Sequence, residues 1–135
     1  MLKLTPEFMK RFADASIKEM EHGWILKELK NAYGSVLTAL DDPFLSGEIK
    51  ACLLRCDELG LASTQDRLSF CFLDIVGFPG FRNLPKLSDM IAKCRETSPN
   101  PEAIMLEFQR IAPPAFWVGL LERTLPERER RGMPV

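Results

Sequence analysis

The sequence predicts an all-α protein, a compact orthogonal bundle of about five or six helices around a central apolar helix at about residues 64–76. Three observations lead there. Prolines stand where helices start and glycines where they stop. Apolar residues recur at i, i+3 and i+4. No stretch sustains a period of two, and neither Asn-Gly nor Asp-Gly, the usual hairpin turns, occurs.

The first helix opens at Thr5-Pro6-Glu7, with Thr5 as cap, Pro6 in the first turn and Glu7 at the positive end of the dipole. Phe8, Met9, Phe12, Ala13, Ile17 and Met20 give it an apolar face. It either breaks at Gly23 or runs on into Trp24, Ile25 and Leu29, since a glycine costs a helix about 1 kcal/mol without forbidding it. Residues 31–40 read as a loop with some helical character, because Gly34 and the β-branched residues weaken a helix there. Asp41-Asp42-Pro43 starts the second helix, Ile49, Cys52, Leu53, Cys56 and Leu59 form its apolar face, and Gly60 ends it.

Ser63 caps the third helix, with Asp66 at its third position. Residues 68–76 are apolar almost all round, which marks a helix surrounded by others. The turn Gly77-Phe78-Pro79-Gly80-Phe81 closes it. Pro85 begins a fourth helix through Leu87, Met90, Ile91 and Cys94, closed by residues 97–101. Asn100 caps a fifth from Pro101, carrying Ile104, Met105, Phe108 and Ile111. After Pro113-Pro114, residues 115–121 form a last short helix. Residues 1–125 are expected to be one domain and 126–135 a charged, flexible tail.

Of 135 residues, 46% are hydrophobic and 27% charged, the balance of an ordinary globular domain. Eighteen Lys and Arg against nineteen Asp and Glu leave a formal charge of −1, so no global field draws nucleic acid. The opening MLKLTPEFMKRF lacks the apolar core of a secretory signal, and no apolar run reaches the roughly 20 residues of a membrane span. A cytoplasmic protein is expected. Its cysteines, Cys52, Cys56, Cys71 and Cys94, lack paired Cys-x-x-Cys knuckles and read as buried free thiols rather than disulfides or zinc ligands.

Catalysis finds little support. His22 is the only histidine, and no motif sets a thiol beside it. Asp41-Asp42 reads as a cap and Asp57-Glu58 as a solvated face. Asp74 falls inside the apolar third helix, where it needs a donor such as an arginine; a structural ion pair is the ordinary explanation and a catalytic acid the sharper one. Phosphate loops and His-Glu-x-x-His are absent from the sequence. No catalytic, metal or cofactor-binding residue is therefore assigned. Phe78, Phe81, Phe116 and Trp117 all stand in or beside proline- and glycine-bounded turns, where rings plug the ends of a core or form an exposed partner-binding anchor.

The central stretch resembles small helical accessory proteins encoded among type VI secretion effector genes of Gram-negative bacteria. Those have a helix ending in glycine and an apolar residue, a Ser/Thr-x-x-Asp start, an aromatic-rich helix, and a Gly-x-x-Phe turn leading to a proline-started helix. Here the matching residues are Gly60-Leu61, Thr64-Gln65-Asp66, Phe70 to Val76, Gly77 or Gly80 with Phe81, and Pro85-Lys86-Leu87. Arg82 stands where that pattern has an acidic residue. The resemblance implies an accessory role without catalysis, either a chaperone or adaptor that holds an effector or an immunity protein that neutralises one. Either binds another protein through a rigid helical surface. Self-association is left open by the sequence.

Overall fold

A single glycine does not stop the first helix. In the computed structural model, which describes residues 5–134 apart from the side chains of Phe8 and Phe12, α1 runs from Pro6 to Leu37 straight through Gly23. The expected places of Phe8 and Phe12 on its apolar face lie outside the described residues. The stretch 31–40, read as a loop, is helical to Leu37, with one departure at Tyr33 (φ −132°, ψ 26°). Tertiary packing overrides propensity there. The Tyr33 ring lies 4.8 Å from that of Phe72, and Leu37 beyond the kink is buried.

α2 (Asp42–Leu59) follows its predicted signals. Asp41 Oδ1 accepts the Phe44 amide at 2.8 Å and Pro43 occupies the first turn. At the other end Gly60 takes φ 72°, which lets its amide reach Asp57 O and the Leu61 amide reach Cys56 O. Leu45, Ile49, Cys52, Cys56 and Leu59 are buried, whereas Leu53 is only half-buried.

α3 (Thr64–Cys71) is capped by Ser63, whose Oγ accepts the Asp66 amide at 3.1 Å. It then widens into a π-helical segment, Phe72–Gly77, ended by the Phe78 amide bonding back to Leu73 O. α3 packs on α2 and α5, and its π-helical continuation on α1 and α2. The expected central position is therefore found, and Phe70, Cys71, Leu73, Ile75 and Val76 are buried within it. A short 3₁₀ turn, Phe81–Asn83, leads towards α4 (Leu87–Thr97). α4 starts two residues after Pro85 because Lys86 adopts a left-handed backbone (φ 63°) that a helix cannot include.

α5 (Ile104–Ile111) also begins later than expected. Asn100 Oδ1 caps only a local turn through the Glu102 amide at 2.9 Å. The helix itself is capped from afar by Asp66, whose carboxylate accepts the Ile104 and Met105 amides. α6 (Pro114–Arg130) replaces the expected short helix and absorbs half of the expected tail. Pro126 sits inside it. Arg128 Nη1 donates to Val76 O and Gly77 O, carbonyls left without partners where the π segment ends, and Met133 is buried. Residues 126–130 thus continue α6, and the residues after them pack back through Met133. Among the described residues the protein is all-helical, with no strand.

Candidate functional site

The four predicted anchor rings come together, but as core. Phe81 is fully buried, edge-on to Phe70 at 5.5 Å and to Phe108 at 5.7 Å. Phe108 also meets Phe116 at 5.7 Å and Trp117 at 5.9 Å, and Trp117 lies 5.5 Å from Phe78. The expectation that Phe81 binds a partner is corrected by its burial: the 3₁₀ turn points it inward. Phe78, Phe116 and Trp117 remain half-buried and pack against that core, so the cluster closes the end of the bundle where α5 and α6 meet.

Asp74 has the arginine it needed. The carboxylate is fully buried; Oδ2 accepts from Arg82 Nη1 at 2.7 Å and from Cys52 Sγ at 2.9 Å, and Oδ1 accepts the Arg82 amide at 2.8 Å. Arg82 Nη1 also reaches Glu48 Oε2 at 2.5 Å, and Arg131 lies 3.8 Å from that oxygen. Burial opposes the charge on Arg82, but the Glu48 hydrogen bond and the charges of Asp74 and Glu48 outweigh it and raise its pKa. Every Asp74 contact is thus to a donor of the same fold, the arrangement of a structural ion pair. Sequence reasoning foresaw an arginine but not which one. Arg82 follows the turn directly after Phe81, and the Gly80 bend that buries the ring brings the guanidinium back onto α3.

The other candidates for chemistry are similarly occupied. His22 Nε2 lies 3.0 Å from Ser46 O and 3.1 Å from Ser46 Oγ. All four cysteines are buried and free. Hydrogen bonding to Cys71, burial and the Asp74 charge push the Cys52 thiol far above its ordinary value, and burial does the same for Cys56 and raises Cys94. Raised thiols are poor nucleophiles. Among the described residues no group of three or more His, Cys, Asp and Glu could hold a metal, and no helix is long and apolar enough to cross a membrane.

What stands open is the outer side of α1. Met9, Ala13, Ile17, Met20 and Trp24 follow one another at helical spacing and form a single stripe about 22 Å long. Met9, Ile17, Met20 and Trp24 are 53%, 63%, 73% and 40% exposed. Ile25 and Leu29, which anchor the same helix to the bundle, are buried and lie roughly 140° around the axis from that stripe. The helix therefore carries two apolar faces, one for its own core and one turned away. Beyond Trp24 the outward face continues as Lys27, Asn31 and Ser35, all exposed, so the apolar stripe ends where α1 joins the body. On the opposite, inward side of α1, that helix and α2 enclose a groove of about 500 Å³ with Leu53 and Leu54 between Lys18, Lys50 and the Glu21–Arg67–Asp57 ion pairs. Sequence reading listed most of the stripe residues as an apolar face, but a lone sequence does not say which side of a helix meets the bundle.

Fold and surface together define a small helical body with a closed interior and an open apolar helix face. Comparison with protein-family models, with curated proteins and with solved structures finds no match for this chain.

Proposed function

We propose that the protein is a non-enzymatic protein-interaction module, most concretely a cytoplasmic adaptor or chaperone that holds a secretion effector through the outer face of α1. The observation that carries this reading is the stripe Met9–Trp24, apolar and solvent-exposed on a helix already anchored by its other side. Contiguous exposed apolar surface rimmed by charge marks a protein-binding site, and an amphipathic helix laid against a partner is a common way to use it. The absence of catalysis is supported by where the reactive groups are spent: Asp74 on Arg82, His22 on Ser46, and the thiols under apolar cover.

The adaptor rather than immunity role is favoured by the aromatic cluster, in which Phe81 is fully buried and the half-buried Phe78, Phe116 and Trp117 pack onto the core instead of projecting as a plug for a toxin's active site. The test is co-expression with the products of the genes flanking this one, taken as the candidate effectors. The effector's soluble yield should rise several-fold with the native protein and return to the basal level with Met20→Asp. An unchanged yield with the native protein sinks the chaperone reading, and loss of toxicity from a folded effector transfers the case to immunity.

A further inference from the structure

We infer that α1 is two units in series. Residues 21–37 belong to the folded body, whereas residues 6–20 are an arm held at one end only. In the protein alone the arm exchanges between helix and coil, and it is completed as a helix by the effector that covers its stripe. Only the last clause rests on the reading of the stripe as an interaction face.

The outermost points at which the body holds α1 are adjacent in sequence. Glu21 accepts two hydrogen bonds from Arg67, at 2.9 and 3.0 Å, and His22 Nε2 lies 3.0 Å from Ser46 O. Ile25 and Leu29 then carry the helix into the core. Before this latch, the described side chains of residues 6–20 are all exposed except Ser16, which is half-buried. None of them belongs to the core cluster, and none makes a hydrogen bond or ion pair with the body.

One side of the helix shows why. Glu7, Arg11, Asp14 and Lys18 continue, at helical spacing, the line on which Ile25 and Leu29 lie. After His22 that line is apolar and buried; before it, all four residues are charged and exposed. The side of the arm turned towards the body is thus a solvated face with nothing to bury, and its apolar residues are on the opposite side. Across the groove, Leu54 of α2 stays 64% exposed, so the arm is not laid down on α2 either.

A helix without tertiary packing stands on its backbone bonds alone. Each residue added gains about as much as it loses, so a segment supported at one end frays from the free end inward and is most complete beside Glu21. Asp14, Ser16 and Ile17 are weaker helix formers that promote fraying, while the i, i+4 spacings Glu7–Arg11 and Asp14–Lys18 oppose it without fixing the helix. Met9, Ala13, Ile17 and Met20 therefore line up as one face only in the fraction of molecules whose arm is helical. Trp24, behind the latch, is the permanent part of the stripe. Affinity for an effector is reduced by that fraction, so helix content sets the grip together with the contacts themselves.

Amide exchange of the full chain alone is the direct test. Amides of residues 10–18 should exchange within about tenfold of the rate of unstructured chain, and those of residues 25–32 more than about a thousandfold slower. Ala15→Pro, which lies off the stripe, should leave the urea midpoint unchanged. Protection of residues 10–18 equal to that of residues 25–32, or a midpoint lowered by Ala15→Pro, overturns the arm. Completion by the effector is read in co-expression with the flanking gene products, every stripe residue being kept. Ala15→Gly should lower the soluble effector yield several-fold and Ser16→Ala should raise it. A yield that falls with Met20→Asp but ignores both of these variants overturns completion by the effector. A yield that ignores Met20→Asp as well removes the proposed function, and fast exchange of residues 10–18 then still upholds the arm.

Discussion

Asp66 and Met105 lie 39 positions apart in the chain, yet Asp66 Oδ1 accepts the Met105 amide at 2.8 Å while Oδ2 accepts that of Ile104 at 3.1 Å. One buried carboxylate thus closes the start of α5 from within α3, and its negative charge sits at the positive end of the α5 dipole. Asp66→Ala should lower unfolding stability by about 2–3 kcal/mol, more than an exposed cap, because two amides lose their acceptor in the interior. Asp66→Asn, which keeps one acceptor oxygen, should lose less. Urea melts of the two variants check the order, and equal losses would remove the two-amide account.

Arg82 is held between Asp74 and Glu48, so deleting it strands the buried Asp74 carboxylate and leaves Glu48 only the more distant Arg131. Arg82→Met is expected to cost about 3–5 kcal/mol. The double variant Arg82→Met with Asp74→Asn should recover part of that, since a neutral amide is cheaper to leave buried than an unpaired charge. Thermal melts of the single and double variants read the difference; a double variant less stable than the single would contradict the ion-pair reading.

How much of this was readable beforehand differs by element. The helix starts at Asp41 and Ser63 and the stop at Gly60 were legible because capping is local chemistry, settled within four residues. The centrality of residues 68–76 was legible because a helix apolar all round needs neighbours on every side. The cap of α5 was not, since its acceptor comes from a different helix. Nor was the length of α6, because Pro126 and the run of Glu and Arg read as a tail until Arg128 is seen bonding the end of the π segment. The candidate surface was half legible: the apolar spacing of the first helix was plain, but its outward direction depends on Ile25 and Leu29 claiming the inward side.

Acid should loosen the last turns of α6. The hydrogen bond from Arg130, aided by that from Arg131, holds the Glu127 carboxyl at about 2, below its ordinary value. A carboxylate depressed in the folded state contributes stability that is complete above its unfolded value and drains away between about pH 5 and pH 2. Partial hydration limits the contribution to under about 1 kcal/mol. Urea melts at pH 7 and pH 3 should show a smaller loss in Glu127→Gln than in the native chain, and identical losses would discount the pair.

The thiols should be silent in the folded protein. Cys52, Cys56, Cys71 and Cys94 are buried, so a chromogenic disulfide reagent at pH 8 should titrate all four in denaturant and almost none without it. Rapid reaction of any one in native buffer would show an opening that the packing does not contain.

Arg128→Ala should free two carbonyls at the end of the π segment and cost about 1–3 kcal/mol, with Met133 becoming exposed. Faster backbone amide exchange confined to residues near 76–78 and 128–133 is the signature; exchange unchanged there would mean that the clasp is decorative.

The docked C-terminal segment also orders events in time. Glu48 faces Arg131, and a Cβ placed on Gly132 would meet the Ala39 side chain at 3.5 Å, so early and late parts of the chain finish one another. At about 5–20 residues per second of synthesis, the loop between α1 and α2 waits several seconds for the residues that cover it. Nascent chains of this protein therefore spend that interval with an unsealed flank, and ribosome-bound intermediates stalled before residue 128 are where a cellular chaperone has its opportunity to bind.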